Sequence, residues 1–350
     1  MLLEDGRLDI LVTSSSASSA LLASSASGLL APEAQAIDVS PLDFDAFLRA
    51  KGDRATVPLL RSRLETLTAL GARLGPAMKA FGEYALVGGM PQAAEAFGRR
   101  RDLREVDVVK HEILSGWRED MAAQRVANPE RVLAVFEQVP AQLRKPDKRF
   151  ALARVSPDAR MRSFRGAAEW LADSGLAVIA RSAEVRDGTS GTSGTPRMLS
   201  AGRTFKLYVA DTGLLAAEAA RARPELESAL RRAALSERLD ACEGMLLENV
   251  VAQCLKAGGH APRFCVERDS GARRTVMSID FLIRRNGRVT PIMLSRGKGG
   301  EGGELGAARA LARFRERFGP EAGEGVVLHR GDVRREAGVL FLPWCMAAVL

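Results

Sequence analysis

The sequence predicts an α/β and α+β multidomain protein built from three consecutive parts. Short apolar runs on either side of a Ser-rich segment are typical of buried strands and open the chain. Amphipathic helices interrupted by Gly and Pro follow, and a helix–three strands–helix–strand order (αβββαβ) closes the chain. We therefore expect domains at residues 1–87, 88–240 and 241–350.

The composition is that of a globular protein with a modest basic excess. Hydrophobic residues make up 46% and charged residues 27% of the 350 residues, which is ordinary for a chain that buries a core. The net charge of +8 favours partners that carry phosphate, either nucleic acid or an anionic surface. A merely basic surface is the alternative.

The spacing of the cysteines and histidines argues against a metal-binding protein, and the lack of long apolar runs argues against a membrane protein. The four cysteines have no Cys-x-x-Cys spacing, and His111, His260 and His329 lie far apart, so neither a zinc site nor a histidine triad is expected. No run approaches the roughly 20 apolar residues of a membrane span. Glu4 and Asp5 stand where a signal peptide carries positive charge. We expect a cytoplasmic protein whose cysteines are buried and reduced.

The first part contains predicted strands at residues 8–13 and 36–39, and a helix start at Asp43 or Asp45. This order is typical of the end of an α/β domain, so the chain is expected to start in the middle of one. Further helices are predicted at residues 57–74, 92–100, 107–121 and 129–143. The run Arg99, Arg100, Arg101 and Arg104 is expected to be a solvated face, with an anion contact as the alternative.

Residues 129–210 have the order of a winged helix. Helices at 129–139 and 162–174 precede strands at 176–180 and 204–209, and a Gly/Ser/Thr tip at 188–195 joins the strands. Basic residues near the second helix of such modules meet DNA phosphates. The candidates for DNA binding are Lys145, Lys148, Arg160, Arg162 and Arg165. Alternatively, the module packs between domains and these side chains are solvated.

The C-terminal part contains the clearest local signal, a β-hairpin. Strands at 275–283 and 289–294 flank Asn286-Gly287, the strongest short hairpin signature. A helix at 242–257, a strand at 263–267, a helix at 305–318 and strands at 325–329 and 339–342 surround it. This αβββαβ order is that of restriction-endonuclease-like folds.

In nucleases with a PD-(D/E)xK site, an Asp on one strand and a Glu-x-Lys on the next hold a divalent metal and activate water. Asp280 occupies the first position, but Met293 and Ser295 stand where Glu and Lys would fall. Glu248 and Asp280 are weak candidates for a hydrated magnesium ion. Their alternative roles are structural, and loss of the metal ligand and the lysine is expected to remove catalysis.

Together these segments resemble bacterial and archaeal AAA-type ATPases that carry a C-terminal domain of unknown function 4143. The resemblance covers nearly the whole chain. The matching segments are Val12-Thr13-Ser14-Ser15 (a sensor strand), Pro41-Leu42-Asp43-Phe44, Gly88-Gly89-Met90-Pro91 with Trp117-Arg118-Glu119-Asp120, Phe205-Lys206-Leu207-Tyr208 followed by Asp211 and Gly213-Leu214-Leu215, Glu248-Asn249-Val250-Val251-Ala252, and Ile279-Asp280-Phe281 with Pro291-Ile292. The most specific are the segment that begins at Phe205 and the one that begins at Glu248.

The resemblance implies ATP and magnesium as cofactors of full-length relatives, but this sequence contains no Gly-x-x-x-x-Gly-Lys-Ser/Thr phosphate loop. Gly28-Leu29 also stands where the family tends to show Gly-Arg. No ATP-binding residue and no cofactor are therefore expected, either because the reading frame begins late or because the gene has decayed. Residues 1–87 would then hold a sensor strand and a helical lid without the nucleotide site.

The leading hypothesis is a non-catalytic, truncated relative of these ATPases that serves as a DNA- or protein-binding scaffold. A first alternative is a metal-dependent nuclease that uses Glu248 and Asp280 with an unconventional third ligand such as Glu267. A second is an ATPase whose phosphate loop lies upstream of a mis-assigned start.

Overall fold

A computed structural model of the chain describes residues 39–123, 128–155, 161–186, 197–241, 244–268, 275–296 and 303–350. The strand predicted at residues 8–13, residues 36–38 of the next strand and the tip at 188–195 lie outside these ranges. The described part is a mixed α/β structure, and its sheet has eight strands. None of the described helices is long and apolar enough to cross a membrane.

Helices make up most of the structure before residue 180. Asp43 caps the first of them by accepting a hydrogen bond from Ala46 N–H at 2.7 Å, as its position predicts. The helices are α1 (Phe44–Ala50), α2 (Thr56–Thr66), α3 (Leu74–Val87), α4 (Pro91–Arg100), α5 (Leu103–Ala123), α6 (Pro129–Leu143) and α7 (Met161–Asp173).

The single helix predicted at residues 57–74 is wrong. Helix α2 ends at Thr66, and a 3₁₀ turn at Gly71–Arg73 leads into α3. Asp332, far along the chain, accepts hydrogen bonds from the N–H groups of Leu70 and Gly71, both at 2.7 Å, and so stabilises the break. Pro76 suggests a stop, but it stands in the first turn of α3, where no N–H is needed.

The strands form one continuous sheet in the order β2-β1-β3-β4-β5-β6-β8-β7. Helices α8 (Thr212–Ala222), α9 (Leu226–Leu235), α10 (Met245–Ala257) and α11 (Glu304–Phe318) complete the described helices. The strands are β1 (Ala177–Arg186), β2 (Arg197–Val209), β3 (Arg263–Arg268), β4 (Thr275–Arg285), β5 (Arg288–Leu294), β6 (Gly325–His329), β7 (Arg334–Glu336) and β8 (Val339–Pro343). The predicted helix–three strands–helix–strand order is present in α10, β3, β4, β5, α11 and β6.

The hairpin of β4 and β5 has the predicted turn. Asn286 and Gly287 both have positive φ angles, 50° and 76°, as a two-residue turn with primed geometry requires. Gly tolerates this conformation without strain, and Asn is the next most tolerant residue. The register pairs Arg285 with Arg288 and Phe281 with Ile292.

The sheet and the core both extend across residue 240. Strand β1 pairs in parallel with β3 through Arg181–Arg263 and Ser182–Phe264, so the β1–β2 hairpin continues the sheet of the C-terminal part. The larger core cluster runs from Phe44 to the buried Trp344, and a second cluster lies between α11 and the sheet. This arrangement brings β2, α10 and the end of β5 together.

Candidate functional site

A buried cluster of charged side chains lies where helix α10 meets strands β2, β4 and β5. Nη2 of Arg296 lies 2.5 Å from Oε2 of Glu248 and 3.0 Å from Oδ1 of Asp280. Nζ of Lys206 donates to Oε1 of Glu248 at 2.8 Å. The two carboxylates that the sequence singles out do meet, and the group between them is the guanidinium of Arg296. We call these four residues the ionic cluster.

Further hydrogen bonds hold both carboxylates in place. The Tyr208 hydroxyl lies 2.9 Å from Oε1 of Glu248. Asp280 Oδ2 accepts the backbone N–H of Leu294 at 2.9 Å, and its carbonyl accepts a longer bond of 3.3 Å from Lys206. Glu248 is 0% and Asp280 8% exposed, so both carboxylates need such partners.

Local structure explains how the cluster forms. Lys206 and Tyr208 alternate on β2, so both project from the same face of the strand toward α10. Glu248 lies in the first turn of α10, where the helix dipole favours a negative charge. Nζ of Lys206 also lies 5.1 Å and 5.6 Å from the ring centroids of Phe264 and Phe281. Their faces attract a cation that is largely removed from water.

The cluster shifts the ionisation of its members. Burial opposes the charge of Glu248, but Lys206, Arg296 and the nearby Lys148 outweigh burial and lower the pKa of Glu248 to about 2. Burial and the neighbouring Glu248 raise the pKa of Tyr208 well above its usual value, so its hydroxyl stays a donor. Burial lowers the pKa of Lys148 to about 8. At neutral pH Glu248 is therefore an ionised carboxylate that contacts both Lys206 and Arg296.

The donor set does not fit a divalent metal ion. Arg296 lies within hydrogen-bonding distance of both carboxylates, and a second cation, Lys206, contacts Glu248. Within the described ranges, no group of three or more His, Cys, Asp and Glu side chains is placed to hold a metal. Glu267, the suggested third ligand, pairs instead with Arg317 of α11 at 3.3 Å.

The two positions at which the nuclease motif departs from its pattern take part in packing. Met293 is partly buried against the core cluster under α11. Ser295 is 5% exposed, and its backbone N–H donates to the Leu328 carbonyl at 2.9 Å, which continues the pairing of β5 with β6. The cation that reaches the carboxylates comes from the next residue, Arg296.

Among the predicted DNA-binding residues, those whose side chains are described, Lys145, Lys148 and Arg165, have separate partners. Lys148 is buried, 4% exposed, and donates to the Leu143 carbonyl near the ionic cluster. Lys145 is half-buried beside Gln142, and Arg165 lies on α7 paired with Glu169 at 3.0 Å. Arg162 lies in the first turn of α7, and Arg160 falls outside the described residues.

A second buried network, composed of uncharged groups, lies beside the ionic cluster on α10. Asn249 accepts the N–H of Val209 at 2.9 Å and donates to the carbonyl of Val209 and the hydroxyl of Thr212. Gln253 accepts both the N–H and the hydroxyl of Thr212 and donates to the Tyr84 hydroxyl at 2.9 Å. We call Tyr84, Thr212, Asn249 and Gln253 the amide network. It joins α10 to the end of β2 and to α3.

The glycines that the sequence singled out lie where no side chain fits. A Cβ on Gly88, whose φ is +89°, would come within 2.1 Å of Asp211 Oδ1. A Cβ on Gly213 would come within 2.2 Å of the Val87 carbonyl. Asp211 is 0% exposed and accepts N–H bonds from Gly89 at 2.5 Å and Leu214 at 2.9 Å. Two sequence motifs far apart in the chain therefore fit together by close backbone contact.

Comparison with known sequences matches only a part of the chain that forms this site. Residues 78–225 match a sequence family described as a domain of unknown function, DUF8612. No curated protein and no solved structure matches the chain. The matched segment contains Tyr84, Lys206 and Thr212 and ends before Glu248 and Asp280.

Sequence reasoning missed three members of the site: Lys206, Tyr208 and Arg296. The alternation of Lys206 and Tyr208 with Phe205, Leu207 and Val209 was a usable signal, since a buried Lys requires a partner. The only sequence signal for Arg296 is its position, one residue after Ser295, at the end of the segment that departs from the nuclease motif. The fold alone shows that its side chain turns back toward Glu248.

Proposed function

We propose that this protein is a non-catalytic, DNA-binding relative of the AAA-type ATPases that carry a domain of unknown function 4143. The observation that carries the proposal is the position of Arg296, whose guanidinium bridges Glu248 and Asp280. A cation of the chain itself takes the place between the carboxylates at which a nuclease of this kind would hold its metal. The nuclease-like centre thereby becomes a structural ion cluster.

Several observations support the family part of the proposal. The motifs around Tyr208, Asp211 and Asn249 are those on which the resemblance rests, and these residues meet in one buried region. The element order in β4, β5 and their neighbours agrees with a restriction-endonuclease-like fold, and α6, α7 and the β1–β2 hairpin follow the order of a winged helix. The amide network then explains these motifs as contacts that hold the parts together.

DNA is the partner that charge favours, and the net charge of +8 supports it. The described cysteines, Cys254, Cys265 and Cys345, are buried free thiols, which suits a reducing cytoplasm. A protein partner is the alternative, and it would require an apolar contact surface in place of a basic one.

The test is fluorescence anisotropy of a labelled 20-base-pair duplex against the purified chain, over a salt series, with and without Mg²⁺ or Mn²⁺. The DNA is then examined for cleavage on a denaturing gel. We expect binding whose logarithm falls linearly with the logarithm of salt concentration, and intact DNA in every lane. Absence of binding at low salt would overturn DNA as the partner.

Cleavage would favour the competing hypothesis of a metal-dependent nuclease. The variant Asp280→Ala then tests whether the protein itself cleaves the DNA. If Asp280 holds a catalytic metal, the variant loses cleavage. A contaminating nuclease would be unaffected by the change. Calorimetric titration with Mn²⁺ alone adds a readout besides activity: we expect no saturable binding to the wild type, because Arg296 and Lys206 neutralise the carboxylates. Saturable binding of Mn²⁺ by the wild type would contradict the proposal.

A further inference from the structure

Arginines without acidic partners surround the tip of the β4–β5 hairpin. Arg284 and Arg288 are exposed and Arg285 is half-exposed. None of the three has an acidic group within salt-bridge distance among the described residues, in contrast to Arg181 on β1, Arg296 just after β5 and Arg317 on α11. Arg263, which starts the neighbouring strand β3, likewise has no acidic partner in the described ranges.

The register places these arginines on both faces of the hairpin. Arg263 pairs with Leu282, so Arg263 and Arg284 project from one face, since residues two apart in a strand share a face. Arg285 pairs directly with Arg288, so these two project from the other face. The turn residues Asn286 and Gly287 carry no charge of their own, and the tip is basic on both sides.

The tip also extends beyond the strands on either side of it. On one side, the last paired residue of β4 is Leu282, opposite the start of β3. On the other side, Val289 bridges to Ala322, and its carbonyl accepts the N–H of Gly323 at 2.8 Å. Residues 284–288 therefore form a short two-stranded projection on a firmly anchored base.

This arrangement costs stability in the free protein. Like charges that face each other across an antiparallel pair are destabilising, and Arg285 faces Arg288 directly. An anionic partner that contacts both faces would offset this cost. A phosphodiester duplex offers such charges along both walls of a groove, and arginine is the side chain best suited to phosphate.

We propose that the tip of this hairpin enters the major groove of duplex DNA, where Arg284 meets one phosphate wall and Arg285 and Arg288 meet the other. The major groove is about 12 Å wide and admits a two-stranded ribbon, whereas the deep, narrow major groove of double-stranded RNA does not. This inference rests on the proposed function, because it names the surface that the DNA contacts.

The experiment compares salt dependence in two matched variants. The tip variant is Arg284→Gln/Arg285→Gln/Arg288→Gln. The control is Arg54→Gln/Arg61→Gln/Arg73→Gln, which removes the same charge from exposed residues that likewise have no acidic partner among the described ranges. Arg54 precedes α2 and Arg61 lies on it, whereas Arg73 ends the 3₁₀ turn held by Asp332, which follows β6. Circular dichroism melting verifies that both variants fold.

We expect the tip variant to lower the slope of log K against log salt by about 2.7, or about 0.9 for each of three phosphate contacts. The control should leave the slope unchanged, and Arg→Lys at the three tip positions should restore most of it. An equal slope in the tip variant and the wild type would overturn the tip as the contact surface. An equal loss for DNA and for an RNA duplex of the same sequence would overturn insertion into the groove.

The failure of this inference and that of the proposed function give different results. Wild-type protein that binds no duplex at low salt contradicts the proposed function itself. Wild-type protein that binds with an unchanged slope in the tip variant keeps the proposed function and moves the contact surface elsewhere.

Discussion

Helix α10 contributes to two buried polar regions, and the polar groups of the two regions find their partners in different ways. Glu248 belongs to the ionic cluster, where charge is balanced by Lys206 and Arg296. Asn249 and Gln253, on the same helix, belong to the amide network, where each donor and acceptor finds a neutral partner. Both regions are largely buried, although the Arg296 side chain is 27% exposed. Only the ionic cluster includes Glu248 and Asp280, the positions at which the sequence resemblance implies a metal site.

The two regions differ in the free energy that it costs to bury their polar groups. Burying charges costs several kcal/mol per ion, and their mutual attraction offsets this only when the geometry is good. Burying an amide costs little when its hydrogen bonds are made. Under the proposed function, the ionic cluster derives from a nuclease-like site and persists because removing one charge alone is costly. The amide network is a device that holds α3, β2 and α10 in register.

The largest effect should follow from breaking the charge balance. Glu248→Ala leaves Lys206 without its carboxylate and removes one of the two that contact Arg296, so we expect a loss of about 3–5 kcal/mol in the free energy of unfolding. Urea unfolding followed by tryptophan fluorescence measures it. Glu248→Met/Lys206→Met removes one charge of each sign and should recover most of the loss. A double variant as unstable as the sum of its single variants would show that charge balance is not the cause.

The second largest effect should be a loss of stability at acid pH that comes from the ionic cluster and not from the amide network. Glu248 has a folded pKa of about 2 against 4.5 for the free side chain, and the depressed value means that its contribution is complete above about pH 4.5 and lost as the pH falls toward 2. The contribution at stake is about 3 kcal/mol. We expect the stability difference between the wild type and Glu248→Gln to shrink over this range. A difference that stays constant down to the lowest pH at which the protein is folded would contradict the assigned pKa.

The amide network should give the smallest effect, and one that does not depend on pH. Asn249→Leu keeps the approximate volume but leaves Val209 N–H and its carbonyl without their partner, which costs about 1–3 kcal/mol. Chemical unfolding at pH 5 and pH 8 should give the same loss. Asn249→Asp is the matched control: burial disfavours its charge, so its loss should grow as the pH rises. A pH-dependent loss in Asn249→Leu would show that the two regions are coupled.

Elements with local signals were predicted well. Helix α6 spans residues 129–143 and β6 spans residues 325–329, as predicted, because capping by Asn128 and a compact apolar run mark them. The Asn286-Gly287 turn likewise carries its own conformational preference. Helix α3 and strand β7 were missed. Pro76 resembles a stop, and Arg334–Glu336 is a short, polar edge strand that only its pairing with β8 defines.

The sequence by itself determined the order of most helices and strands, apart from α3 and β7, together with the hairpin turn and the two acidic residues that meet in the ionic cluster. These features depend on periodicity, on backbone preference and on residue types in a spaced motif, all of which can be read within a few residues. Only the tertiary structure decided that β1 joins β3 in one sheet and that Arg296 lies between Glu248 and Asp280. The physical reason is that parallel pairing and the direction of a long side chain depend on groups brought together from distant parts of the chain. A guanidinium finds its carboxylates only once α10, β4 and the end of β5 have packed together.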